Sequence, residues 1–144
     1  MEPILHLSIP VRDLAEARHF YLHSLGCEAG RARDGSCDVW FYGMQVTLGD
    51  RGDDVVALQP GTARHFGVTL GRPEFDAVVA RLVDGGVAWL VPPSTDDEGL
   101  ATEQTKAKIA DPSGNVIELK AYADAAAALE IPALFRSEAM DHGN

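Results

Sequence analysis

A chain of 144 residues is the size of one domain, and it is long enough to bury a core of its own. Hydrophobic residues at 46% and charged residues at 24% exclude wholesale disorder. A formal net charge of −10 disfavours nonspecific binding to nucleic acid or to an anionic membrane surface, which leaves a small molecule as the expected partner. No apolar run reaches the roughly 20 residues of a membrane span. The amino terminus lacks the basic-then-apolar pattern of a secretory signal, so the expectation is a cytoplasmic protein. Cys27 and Cys37 are too few for a disulfide framework and have no zinc-type spacing; they read as unpaired thiols.

The first predicted strand is "ILHLSIPV" at 4–11. Side chains alternate along a strand, so Leu5, Leu7, Ile9 and Val11 form a packing face while His6 and Ser8 share the other. An amphipathic helix follows over 13–26, with Asp13 as its N-cap, Leu14, Ala17, Tyr21 and Leu25 at helical spacing, and Gly26 as its stop. His19 and His23 stand off that stripe and are expected in solvent. Three short strands come next, "CEAGRA", "CDVWFYG" and "MQVTLG", separated by Asp34-Gly35 and by Gly43. Residues 50–63 read as a connector, with an extra short strand expected over Val55–Leu58.

From 64 the order begins again. "RHFGVTL" sets Phe66, Val68 and Leu70 on one face and His65, Gly67 and Thr69 on the other, and "GRPEFDAVVARLVDGG" is a helix with Pro73 at its start. "VAWLVPP", "TKAKIAD" and "NVIELKAY" are three more strands, the last carrying Glu118 and Lys120 opposite Ile117 and Leu119. The chain therefore divides into a βαβββ module at 3–49, a connector at 50–63, a second βαβββ module at 64–122 and a tail at 123–144. Equivalent positions lie 59 residues apart at the first strand, His6 to His65, and 71 apart at the last, Thr47 to Glu118. The surplus is assigned to a loop over 92–104, "PPSTDDEGLATEQ", whose Asp96, Asp97 and Glu98 lack calcium-loop spacing. The tail reads as an Ala-rich helical stretch followed by Ile131, Leu134 and Phe135 packing on the body.

A doubled βαβββ module with His on the first strand of each half, and "DPSGNVIEL" at 111–119 leading into a Glu-bearing last strand, resembles the vicinal oxygen chelate superfamily of glyoxalases, bleomycin and fosfomycin resistance proteins and extradiol dioxygenases. The resemblance implies an α+β fold in which two βαβββ modules form a cup-shaped mixed sheet. It also implies a homodimer and one divalent metal held by His6, His65 and Glu118. Fe(II) or Mn(II) is favoured for two imidazoles and one carboxylate, with Zn(II) or Ni(II) as alternatives. Thr47 stands where related lyases and isomerases have a fourth ligand. The expected activity is therefore extradiol dioxygenase-like, on a small molecule that chelates the metal through adjacent oxygens. A metal-free ligand-binding protein of the bleomycin resistance type, a glyoxalase-like lyase or isomerase, and a fosfomycin resistance-like transferase are the alternatives. Ser8, Trp40, Tyr42, Trp89, Gln45, Thr47 and Thr69 are candidates to line the site, and Lys106, Lys108 and Lys120 are candidate anion contacts.

Overall fold

The computed structural model describes residues 1, 3–59 and 61–136. Two four-stranded mixed sheets carry the fold. In the first, β1 (His6–Val11), β2 (Glu28–Arg33), β3 (Ser36–Phe41) and β4 (Met44–Asp50) lie in the order β1-β4-β3-β2. In the second, β5 (Phe66–Leu70), β6 (Trp89–Asp96), β7 (Gln104–Ala110) and β8 (Val116–Tyr122) lie in the order β5-β8-β7-β6. In each sheet the first strand runs parallel to the last, and the other pairs are antiparallel. The predicted repeat holds rung for rung: Ser8 faces Thr47 as Gly67 faces Glu118.

The alternation read from the sequence also holds. Ile9, Val11, Val39, Val46 and Leu48 from the first sheet join Leu70, Ala107, Ile109, Ile117 and Leu119 from the second in one buried cluster. Helix α1 (Leu14–His19) contributes Ala17, and α2 (Arg72–Asp84) contributes Phe75, Val78 and Leu82. At about 25 cal/mol per Å² of apolar surface removed from water, this burial is the main force holding the modules to their helices.

A polar clasp joins the modules at the "DPSGN" turn. Asp111 accepts hydrogen bonds from the Tyr21 hydroxyl at 2.9 Å, from the Ser113 and Asn115 amides at 2.9 Å each, and from Asn115 Nδ2 at 2.8 Å. Asn115 Nδ2 also donates to the Pro10 carbonyl at 3.0 Å, and the Arg12 amide donates to Ser113 Oγ at 2.9 Å. Burial, reinforced by the Asp111 carboxylate, pushes the Tyr21 hydroxyl well above its ordinary pKa, so it stays a neutral donor.

Several expectations need correcting. The first helix is not α-helical throughout: after His19 it widens into a π turn over Phe20–Ser24, closed by the Leu25 amide donating to the Phe20 carbonyl, and both Phe20 and Tyr21 are buried as a result. Leu5 is left 72% exposed, outside the packing face assigned to it. Val55–Leu58 forms no strand; after the end of β4 at Asp50, the described residues of the connector hold only a 3₁₀ turn over Gly52–Asp54. The predicted loop over 92–104 is strand as far as Asp96, because β6 is an edge strand and its prolines face no second ladder, with the pairing register shifting between Val91 and Ser94. A short helix α3 (Ala125–Ala128) matches the Ala-rich stretch, yet Leu134 and Phe135 are 86% and 71% exposed and do not pack on the body. The end of the predicted tail, 137–144, lies outside the described residues.

Candidate functional site

The polar face of the second sheet converges on one carboxylate. Glu118, in the middle of β8, has a side chain only 9% exposed, and His65 Nε2 stands 3.2 Å from its Oε2. Lys108 Nζ lies 3.7 Å from Oε1 and Lys120 Nζ 3.4 Å from Oε2. The register explains the gathering, since Lys108 faces Glu118 across β7 and β8 and His65 immediately precedes β5, the neighbour of β8 on its other side. Gly67 makes the approach of β5 close enough: a Cβ there would collide with the Glu118 backbone carbonyl. His65, Gly67, Thr69, Glu118 and Lys120 line a cavity of about 280 Å³.

Lys106 has the same face but a different partner. Its ammonium donates to Asp96 Oδ2 at 2.6 Å, which raises the lysine pKa and lowers that of the aspartate. Lys106 is thus already engaged.

The first sheet carries an unpredicted counterpart. Asp38 on β3, 4% exposed, accepts from Thr47 Oγ1 at 2.7 Å and from Gln45 Nε2 at 3.1 Å. Arg31 and Arg33 approach it at 3.7 and 3.8 Å. The Thr47 hydrogen bond is the first reason its carboxyl is held below the usual range, with the Gln45 bond and the two guanidiniums adding to it against burial. Because Thr47 gives its only proton to Asp38, and Gln45 gives an amide proton, both present acceptor oxygens to the rest of this face. Asp38 was legible in principle: it alternates in step with Trp40 on the polar face of "CDVWFYG", between buried Cys37 and Val39.

His6 and Ser8 lie on this first-sheet face, both exposed, at the start of the edge strand β1. Trp40, 36% exposed, shares the rung of Gln45, which in turn shares that of His6, while Tyr42 sits exposed in the turn between β3 and β4. Trp89 packs against the hydrophobic cluster instead of lining a site. The two thiols are free and neither is poised as a nucleophile, since burial pushes Cys37 up and Cys27 to about 12. His19 and His23 are exposed, as expected, with ring centroids 4.4 Å apart.

Two of the three expected ligands therefore meet and the third does not. Among the described residues no group of three His, Cys, Asp or Glu side chains is placed to hold one metal ion within a single chain. The pair that does meet fits an ion: two donors each about 2.1 Å from a metal, at a right angle, lie about 3 Å apart, close to the 3.2 Å between His65 and Glu118. A larger cavity of about 710 Å³ runs between the connector and β1 and β5, lined by Leu7, Ile9, Val56, Leu58 and Phe66 among others. His65 is its only imidazole or thiol, and the His65–Glu118 pair opens instead on the smaller cavity.

Two mixed sheets, each from a βαβββ module, with an imidazole and a carboxylate meeting on a polar face, define a glyoxalase-like α+β protein. The sequence profile of the glyoxalase/bleomycin resistance protein/dioxygenase superfamily matches residues 3–119, and the chain belongs to that superfamily. A glyoxalase/bleomycin resistance protein/dioxygenase from Alicyclobacillus acidocaldarius is 32% identical, with a TM-score of 0.75 over 83% of this chain and 91% of that one. The genomically encoded fosfomycin resistance protein FosX of Listeria monocytogenes is 17% identical, with a TM-score of 0.67 over 84% of this chain and 93% of that one. A virulence protein of Salmonella typhimurium is 23% identical, with a TM-score of 0.59 over 85% and 98%. These last two likenesses show the fold alone. No curated protein matches the chain. Members of this superfamily often bind divalent metals and small molecules, and no helix among the described residues is long and apolar enough to cross a membrane.

Proposed function

We propose that the protein is a metal-dependent enzyme that works as a homodimer, in which His65 and Glu118 of one chain and His6 of a second copy hold one divalent ion. The single observation that carries this reading is the 3.2 Å approach of His65 Nε2 to Glu118 Oε2 on an open polar face. His6 supports the second half of it, being exposed at the edge of a sheet, beside exposed Leu5 and on the same face as Trp40. A second copy covering that face would bury Trp40 and complete the ligand set.

Fe(II) or Mn(II) suits two imidazoles and a carboxylate, and such an ion supplies Lewis acidity and open positions for two adjacent substrate oxygens. The chain's own residues do the rest. Asp38 fixes Thr47 and Gln45 as acceptors on the polar face of the first sheet, and Lys108 and Lys120 bring positive charge to the substrate side. Thr47 carries no carboxylate and its proton is committed, so it supplies no proton carrier for an isomerase. Dioxygenase-like ring cleavage is the first reading of the reaction. The two lysines favour a second, polar addition to an anionic substrate of the fosfomycin resistance type.

Anaerobic purification with Fe(II) or Mn(II), followed by elemental analysis, tests the proposal. One ion per chain is expected, lost in His6→Ala, His65→Ala and Glu118→Ala while circular dichroism is unchanged; a metal content near zero in the unsubstituted protein overturns it. Oxygen uptake with catechols separates the two reactions.

A further inference from the structure

Lys106, Lys108 and Lys120 are the only lysines in the chain, and every other fixed cation is an arginine. All three stand on one face of the second sheet, where Lys106 faces Lys120 and Lys108 faces Glu118 across β7 and β8. This is a concentration of ammonium groups in a chain of formal net charge −10.

Their partners do not balance them. Asp96 takes Lys106. Lys108 and Lys120 have Glu118 between them, at 3.7 and 3.4 Å, and their side chains are about one quarter to one third exposed. Two ammoniums against one carboxylate leave a surplus of one positive charge, and a divalent ion on His65 and Glu118 would raise it further. Half-buried like charges repel unless a counter-charge enters. The adjoining cavity of about 280 Å³ has room for a small molecule only; Lys120 and, on its rung, the hydroxyl donor Thr69 line it, while Lys108 stands outside the lining on β7, across Glu118.

We infer that the substrate of this site carries an oxyanion, a carboxylate or a phosphonate or phosphate group, bound by Lys108 and Lys120 beside the His65–Glu118 pair. The charge surplus stands without a metal, while the placing of the anion next to a metal-chelating oxygen rests on the function proposed above. Ammonium groups are donors with no acceptor capacity, so an oxyanion satisfies both at once and displaces neither from the sheet. A neutral ligand would leave the surplus uncompensated.

Isothermal titration calorimetry of the whole protein with oxalate, methylphosphonate and inorganic phosphate, each with and without Mn(II), tests the inference. At least one of these anions is expected to bind more tightly than uncharged ethylene glycol, with oxalate ahead if the group is a carboxylate and methylphosphonate or phosphate ahead if it is a phosphorus oxyanion. Lys108→Met and Lys120→Met should each weaken that binding about tenfold, the loss of one charge-assisted contact. Lys106→Met should change it less than about twofold, and Lys120→Arg, which keeps the charge, should retain most of it. Equal affinity in all the lysine variants, or no anion binding at all, overturns the inference. Electron paramagnetic resonance of bound Mn(II) is read separately: lysine-dependent anion binding without Mn(II) binding removes the metal reading and leaves this one, and Mn(II) binding without anion binding does the reverse.

Discussion

The two modules share a backbone plan and differ at one rung. In the second, Glu118 on β8 meets an imidazole and two lysines, none closer than 3.2 Å. In the first, the equivalent position is Thr47, the carboxylate has moved across to Asp38 on β3, and short hydrogen bonds from Thr47 and Gln45 close it. One carboxylate is satisfied from within, while the other is loosely held and open to a ligand. The strand beside each also differs: Ser8 has a Cβ facing β4, whereas Gly67 cannot have one against Glu118. The two modules share the sheet plan and differ in the chemistry of their polar faces.

The largest effect that would break this comparison is expected at Glu118. Glu118→Ala should lower Mn(II) affinity by at least about a hundredfold, more than a substitution that only orients a ligand, with little change in thermal midpoint. Next comes Gly67→Ala, which forces β5 off β8; urea unfolding should show a loss of about 2–3 kcal/mol, whereas Ser8→Ala at the equivalent rung should cost under about 0.5 kcal/mol. Asp38→Ala leaves two donors unpaired and should cost about 2 kcal/mol in the same measurement without removing metal.

The pH dependence sharpens the contrast. Asp38 is held below its ordinary pKa, so its stabilisation is complete above the unfolded value near ~3.9 and is lost as pH falls through the lower folded value. The urea midpoint of the unsubstituted protein should therefore fall toward that of Asp38→Asn as pH drops from about 5 to about 2. A constant gap between the two would show that the carboxylate is not stabilised by its neighbours. A smaller effect than that of Asp38→Ala is expected of Thr47→Val, about 1 kcal/mol in urea unfolding, from the loss of one donor to Asp38.

Much of this was legible because both signals are periodic. Alternation placed His6, His65 and Glu118 on polar faces, and the turn chemistry at Asp34-Gly35, Gly43 and "DPSGN" bounded the strands. Two kinds of feature escaped. One is tertiary. That Asp38 collects Thr47 and Gln45 depends on the β3–β4 register, and that His6 does not reach Glu118 depends on which sheets face each other, neither of which is written in a local pattern. The other is environmental: "VPPSTD" reads as a loop from its prolines, but an edge strand tolerates them, and the apolar Leu134 and Phe135 read as core but are exposed.

The most direct test of a metal shared between two copies is co-expression of His6→Ala with Glu118→Ala, each carrying a different tag so that mixed dimers can be isolated. A shared site regains one complete ligand set in each mixed dimer, so one metal ion per mixed dimer is the predicted content, with none in either variant alone. Mixed dimers as empty as their parents would contradict it.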